Sequence, residues 1–294
     1  MSFHAHERFP IPPPGHRGLV AVVAAPGGPG ATVAVAVARA ATVPHGAGPV
    51  VLADLTLDAP HRALHGIDPD APGVPDLLAE TRFGAPGPEA VAAATAPCPS
   101  GYGVLPGLRR HADWVLADHR SASVVLDALT GSGALVVAHV DRDVDGEDET
   151  GSLDIEDRNA FARAALRRAD LVVIAARDER ADRIALVPVL ASLAAFGVPL
   201  RRTAVVLPAR AGFLPATTAR RQELPNVLRL GRGHRSDVRL GTAVRDRLDV
   251  LVAESPEARG EPEPEEPQRI EPGTLGAGDQ AIEGWITPRR PQQP

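Results

Sequence analysis

Short apolar runs alternate along the chain with longer stretches in which apolar residues recur every three or four positions. The short runs are bounded by turn residues, which is typical of buried strands, and they cover residues 19–25, 49–53, 102–105, 134–140, 171–175 and 203–207. The helical spacing covers residues 32–41, 118–129, 157–168, 178–196 and 236–248. Strands that alternate with helices predict an α/β fold in three layers, with a mostly parallel sheet flanked by helices on both faces.

The same pattern divides the chain into an arm, a domain and a tail. Residues 1–17 carry a proline run and predict a flexible arm, whereas residues 18–253 contain all the strand and helix patterns. Residues 254–294 hold 8 Pro and 8 Glu and predict a disordered acidic tail. Within that tail, Trp285 either anchors a short motif in a partner protein or packs back on the domain.

The amino-acid composition limits the core residues and excludes several kinds of chemistry. Hydrophobic residues make up 44% of the 294 residues and aromatic ones only 3%, so the core must be built from Ala, Val and Leu. All 31 basic residues are Arg, which excludes Schiff-base chemistry and the ordinary P-loop lysine. Cys98 is the single cysteine, so an internal disulfide is excluded and a reducing cytoplasm is expected. The apolar run at residues 19–38 is interrupted by Pro and Gly, so we expect no membrane span there.

A glycine-rich turn follows the first predicted strand and reads APGGPGAT from Ala25 to Thr32. A strand, such a turn and a helix place backbone N–H groups and a positive helix end where a phosphate can bind. Against the template G-x-x-x-x-G-K-[ST], Gly30 and Thr32 match, but Ala25 replaces the first glycine and Ala31 the lysine. The motif is therefore incomplete.

The turn resembles the deviant P-loop, K-G-G-x-G-K-T, of the MinD/ParA family of ATPases, through Gly27, Gly28, Gly30 and Thr32. The resemblance extends over most of residues 18–253. Four further segments are similar to later strands of the family, and they cover residues 50–55, 101–106, 169–174 and 203–210. The stretch around Asp58, with residues 73–78 after it, is most similar to the CpaE/TadZ-like branch of pilus-assembly and secretion proteins.

The family implies a P-loop NTPase-like fold, ATP with Mg²⁺ as cofactor, and a face-to-face homodimer. It also implies that Asp54, at the end of the second strand, lies near the metal and the attacking water. This sequence differs from the family at four functional positions. Pro26 replaces the signature lysine, Ala31 the P-loop lysine, His139 the second catalytic-site Asp and Pro208 the base-contacting Asn.

Loss of both lysines removes the cations that offset phosphate charge in the transition state. We therefore assign no catalytic and no metal-binding residues, and interpret Gly27, Gly28, Gly30, Ala31, Thr32 and Asp54 as a vestigial nucleotide site. In one alternative the glycines only permit a tight connection; in another the site binds ATP and Mg²⁺ weakly. In a third, an Arg replaces lysine and ATP is hydrolysed.

Two charged segments allow further alternatives. Residues 141–146 match the first half of a calcium loop, but Ser152 stands where a bidentate Glu is needed, so a solvated acidic loop is favoured. His139 is likewise interpreted as a hydrogen-bonded strand-end histidine rather than a ligand. Residues 201–247 hold 11 Arg against 3 acidic residues, so non-specific DNA binding is an alternative to Arg pairing with surface acids.

Together these observations favour a non-catalytic, MinD/ParA-like protein that acts as a scaffold or as a positioning or regulatory protein in the cytoplasm. The resemblance suggests a role in pilus or secretion machinery, or in cell-pole or chromosome organisation. Its partners would be proteins, and a homodimer would rest on surface packing, since the bridging lysine is replaced by Pro26. The alternatives are a divergent weak ATPase and a DNA-binding partition protein.

Overall fold

The computed structural model describes residues 18–42, 48–177, 180–208 and 227–230. Within these residues, eight strands form one sheet. In chain order they are β1 Gly18–Ala24, β2 Val50–Leu55, β3 Ala96–Pro97, β4 Gly103–Leu105, β5 Leu135–Val140, β6 Leu171–Ala175, β7 Thr203–Pro208 and β8 Val227–Leu230.

The strands lie in the order β3-β4-β2-β5-β1-β6-β7-β8. All neighbouring pairs are parallel except β3 with β4 at one edge. This order places β1 at the centre, between β5 and β6, with β2 on the far side of β5. The carboxyl ends of these strands therefore share one edge of the sheet, where ligands bind in open α/β folds.

Nine α-helices and two short 3₁₀ helices connect the strands in the described residues. The α-helices are α1 Gly30–Ala41, α2 His61–Leu64, α3 Val74–Glu80, α4 Pro88–Ala94, α5 His119–Gly131, α6 Glu147–Thr150, α7 Leu153–Arg158, α8 Ala160–Arg168 and α9 Arg180–Ala195. The 3₁₀ helices are His111–Leu116 and Leu200–Arg202.

The core lies in two apolar clusters, one on each face of the sheet. Alternate residues of β1 divide between them: Leu19, Ala21 and Val23 belong to one cluster, and Val20 and Val22 to the other. The first cluster includes residues of α3, α4, α5, α8 and α9, and the second includes residues of α1. These are the three layers predicted from the sequence, and the predicted fold class is confirmed.

The strand predictions are confirmed as strands, with ends that differ by one or two residues. The single helix predicted over residues 157–168 is wrong, because α7 ends at Arg158 and α8 begins at Ala160. Asn159 interrupts the helix: its buried side chain donates from Nδ2 to the Asp145 carbonyl at 2.9 Å, while its backbone leaves helical geometry. Sequence patterning did not reveal β3 or β8, which are short.

Several predictions fall outside the described residues. These are the arm at residues 1–17, the helix at 236–248, most of the arginine-rich segment at 201–247, and the tail at 254–294 with Trp285.

The apolar run at residues 19–38 forms most of β1, the turn and most of α1, as predicted. Among the described helices, none combines the length and the apolar character needed to cross a membrane.

Candidate functional site

The glycine-rich turn connects the central strand β1 to α1 at the carboxyl edge of the sheet. The Ala25 N–H donates to the Ala175 carbonyl at the end of β6 at 2.9 Å. The Gly28 N–H donates to the Ala25 carbonyl at 2.7 Å and closes the turn. Gly27 has a φ of 69°, a left-handed conformation that favours glycine.

Two further glycines lie against neighbouring groups. A Cβ on Gly28 would approach the Ala175 carbonyl oxygen to 2.4 Å, and one on Gly30 would approach His139 Nε2 to 2.6 Å. Real Cβ atoms do not come this close to backbone oxygens, so the turn would have to shift. Packing against β6 and His139 thus requires these glycines whether or not a phosphate binds.

The side chains of the turn carry no charge. Ala31, in the position of the P-loop lysine, is half-buried, while Thr32 and Pro26 are exposed. The nearest arginines along the neighbouring strands are Arg142, after β5, and Arg177, after β6, and both are exposed. Any positive charge at this edge, apart from the amide groups at the start of α1, must therefore come from outside the turn.

Asp54 lies at the end of β2, one strand away from the turn across β5. It is 1% exposed, and its carboxylate is held within the protein. Oδ1 accepts hydrogen bonds from the Thr56 hydroxyl at 2.8 Å and from the Thr56 N–H at 3.4 Å, while Oδ2 accepts from the His61 N–H at 2.7 Å. Burial raises the pKa of Asp54 to about 6, although these hydrogen bonds oppose the shift.

His139 lies beside Asp54 near the end of β5, where the two residues are register partners. Its Nδ1 is 3.1 Å from Nε2 of His61, the first residue of α2, and the two rings meet edge to face with centroids 5.1 Å apart. His139 is 7% exposed and His61 is completely buried. His139 therefore has the hydrogen-bond partner expected of a strand-end histidine, and that partner is a second histidine.

Burial keeps both imidazoles neutral. It lowers the pKa of His139 to about 4 and that of His61 to about 3, and the charges of His139 and His65 lower the latter further. Protonating either ring would place a charge in a site without solvent to stabilise it. At neutral pH the histidines consequently offer lone pairs and N–H groups rather than positive charge.

His61 was missed by the sequence analysis, because a single histidine after a strand is a weak signal. The signal that the sequence does contain is the position of His61, seven residues after Asp54 and just after the end of β2. The hydrogen bond from the His61 N–H to Asp54 holds the start of α2 next to the end of β2. In the described part of the chain, Asp54, His61 and His139 form the group of potential metal ligands whose donor atoms all lie within 4.8 Å of one another.

The acidic loop at residues 141–146 is held by contacts within the protein. Asp141 Oδ2 accepts from the Leu57 N–H at 2.8 Å, and Asp143 pairs with Arg158 at 2.7 Å. Arg163, which is 5% exposed, donates to the Val144 carbonyl. The carboxylates of Asp141 and Asp143 therefore point to different partners.

No family model and no curated protein match this sequence. Solved structures do match its fold. A ParA family ATPase from Chlorobium tepidum is 12% identical with a TM-score of 0.58, and the match covers 80% of this chain and 93% of that one. A plasmid partition protein from Borrelia burgdorferi is 10% identical with a TM-score of 0.57, covering 82% and 100% of the two chains.

A cobyrinic acid a,c-diamide synthase from Mycobacterium smegmatis is also similar in fold, although its name describes a synthase rather than a partition protein. It is 18% identical with a TM-score of 0.55, and the match covers 84% of this chain and 98% of that one. Identities this low establish the fold and leave function to the site. The predicted resemblance to the MinD/ParA family is thus confirmed for the fold, while the CpaE/TadZ-like branch stays a prediction.

Proposed function

We propose that this chain is a non-catalytic protein with the MinD/ParA fold, which positions or regulates protein partners and does not hydrolyse ATP. The observation that carries the proposal is a glycine-rich turn without a cation at the carboxyl edge of the sheet. The turn connects β1 to α1, and Ala31 and Pro26 occupy the positions that correspond to the family's lysines. The fold's similarity to plasmid partition and ParA proteins supports a positioning role.

The lack of a cation at the turn is the first argument against hydrolysis. Phosphoryl transfer depends on positive charge around the transferred group, with typical contributions of several kcal/mol. The turn supplies only backbone amides, and both nearby histidines are neutral at pH 7 because burial lowers the pKa of each. A bound triphosphate would therefore meet little compensating charge.

The lack of oxygen ligands is the second argument. Mg²⁺ prefers carboxylate, water and phosphate oxygens. His139 offers an imidazole nitrogen at the position where the family resemblance implies a second carboxylate, so Asp54 is the single carboxylate of this register pair. The residues present do not fit Mg–ATP in the manner that the resemblance implies.

The test is a calorimetric titration of the full chain with ATP and ADP in the presence of Mg²⁺, combined with a phosphate-release assay in the same buffer. We expect no phosphate release above the buffer rate. Binding without release would make the protein a nucleotide-gated scaffold and would leave the non-catalytic role standing.

Turnover would overturn the proposal, provided that it belongs to this site. Asp54→Ala should then abolish it, and Arg177→Ala would test whether the arginine after β6 has replaced the lysine. Arg142→Ala, at the end of the other strand beside β1, is the matched control. Turnover that survives Asp54→Ala would indicate a contaminating ATPase.

A further inference from the structure

Three side chains from separate elements converge at the carboxyl edge of the sheet, and we call them the histidine–aspartate cluster: Asp54, His61 and His139. They come from the end of β2, the start of α2 and the end of β5. Asp54 and His139 are register partners in adjacent strands, and the His61 N–H bond to Asp54 ties α2 to the same place. The register of β2 with β5 and the backbone N–H of His61 thus bring the three residues together.

The two imidazoles are not fully satisfied by each other. A hydrogen bond across the 3.1 Å between His61 Nε2 and His139 Nδ1 uses one nitrogen of each ring. The other nitrogen of His61, Nδ1, has no hydrogen-bond partner among the described residues and faces away from this pair. The candidate donor atoms are therefore His61 Nε2 and His139 Nδ1, together with an oxygen of Asp54.

We propose that the histidine–aspartate cluster binds a divalent transition metal of the zinc class. Zinc binds imidazole nitrogen at about 2.0–2.1 Å and carboxylate oxygen at about 2.0–2.2 Å, commonly with three protein ligands and water in a tetrahedral arrangement. Two nitrogens on one such ion lie roughly 3.3 Å apart by this geometry. The observed 3.1 Å separation is already close to that value.

The donor set discriminates between metals. Two imidazoles and one carboxylate suit zinc, cobalt or nickel, whereas magnesium and calcium prefer sites made of oxygen alone. Asp54 Oδ2 accepts one hydrogen bond, from the His61 N–H, and has a second lone pair for the metal. The hydrogen bond from the Thr56 hydroxyl to Oδ1 orients the carboxylate. Such partners hold a ligating carboxylate in place and increase affinity.

Packing around the cluster also fixes the orientation of the His139 ring. Gly30 packs against His139 on the side of Nε2, which orients the ring so that Nδ1 faces His61.

The experiment uses the full chain after treatment with a chelator and removal of any affinity tag. Zinc affinity is measured by competition with a chromophoric chelator, and Co²⁺ is used as a spectroscopic probe of nitrogen ligation. We expect one ion bound, with the absorption bands of low-coordinate Co²⁺. His61→Ala and His139→Ala should each weaken zinc binding at least about 100-fold and remove the Co²⁺ bands.

Two controls separate this site from other histidines. His111→Ala changes an exposed histidine outside the cluster and should leave affinity unchanged. The triple variant His4→Ala, His6→Ala, His16→Ala removes the three histidines of residues 1–17 and should also leave the cobalt bands intact. If either control abolishes binding, the proposal is wrong.

A loss of binding could also follow from misfolding, so each variant is checked by circular dichroism. His139→Gln and Asp54→Asn preserve approximate size and polarity, and both should fold and still lose zinc affinity. Unchanged affinity in these folded variants, or no Co²⁺ bands with the unmodified chain, would overturn the proposal. No nucleotide is used, so this outcome is independent of the ATP measurements.

Discussion

The glycine-rich turn and the histidine–aspartate cluster lie at the same edge of the sheet and differ in what they retain. The turn has Gly27 in a left-handed conformation and Gly28 against the Ala175 carbonyl. Its side chains are neutral. The cluster has an imidazole where the family resemblance implies a carboxylate, and α2 contributes a second imidazole.

This difference indicates that the packing of the turn and its charge are separate requirements. The turn packs against Ala175 of β6 through Gly28 and against His139 of β5 through Gly30. Pro26 and Ala31, at the positions that correspond to the family's lysines, carry no charge. Substitutions can therefore change the packing of the turn and its charge one at a time.

The largest effect is expected from adding a methyl group to the turn. Gly28→Ala would place Cβ against the Ala175 and Ala25 carbonyl oxygens, at 2.4 and 2.9 Å, and should lower the free energy of unfolding by about 3 kcal/mol. The measurement is urea denaturation of the full chain.

Gly27→Ala is the matched control for this substitution. Its Cβ would meet nothing within 4 Å, so only the φ of 69° opposes it, and the expected loss is about 1 kcal/mol. Equal losses at the two positions would show that contact with β6 does not determine the conformation of the turn.

The contrast between the two regions also explains what the sequence could predict. Periodicity located β1, β2, β5, β6 and β7, because apolar runs bounded by turn residues are strong local signals. The position of Asp54 at a strand end followed from the same pattern. The break at Asn159 did not, since it depends on a side-chain bond to the Asp145 carbonyl that no local pattern records.

The cluster could be predicted only in part for the same reason. His139 stood out because it occupies a position where the family resemblance implies an Asp. His61 lies on the four-residue helix α2, which has no periodic signal, and it meets His139 only through the register of β2 with β5. Contacts between residues 78 positions apart depend on tertiary structure.

The next largest effect is expected in the pH dependence of the unfolding free energy, which tests whether His61 and His139 are neutral in the folded protein. The folded pKa values of His139 and His61, about 4 and about 3, lie below the usual 6.5. Their contribution to stability is thus present above pH 6.5 and is lost as the pH falls through the folded values. Asp54 behaves in the opposite way: with a folded pKa of about 6, its contribution is present below 3.8 and is lost as the pH rises through 6.

Two histidines against one aspartate make the cluster sensitive to acid. We expect His139→Gln to reduce the loss of unfolding free energy between pH 7 and pH 4 by about 3 kcal/mol. Urea denaturation at several pH values, with a chelator present, measures it. The exposed His111→Gln is the control, and a His139→Gln curve parallel to that of the unmodified chain would contradict the assignment.

The smallest effect is expected from restoring the lysine of the turn. Ala31 is half-buried at the start of α1, so Ala31→Lys should change the unfolding free energy by less than about 0.5 kcal/mol. The new cation would strengthen ATP binding by about tenfold at most, a typical result for one partly solvated charge. Phosphate release should remain at the buffer rate, because His139 still replaces the carboxylate.

Ala31→Gln is the matched control, since it adds a side chain of similar reach without the charge. Any gain in ATP affinity that Gln reproduces comes from contact and not from the cation. If Ala31→Lys hydrolyses ATP well above the Gln variant, the missing lysine is the decisive defect. The histidine–aspartate cluster would then be compatible with catalysis, and the separation of packing from charge would reduce to a single residue in the turn.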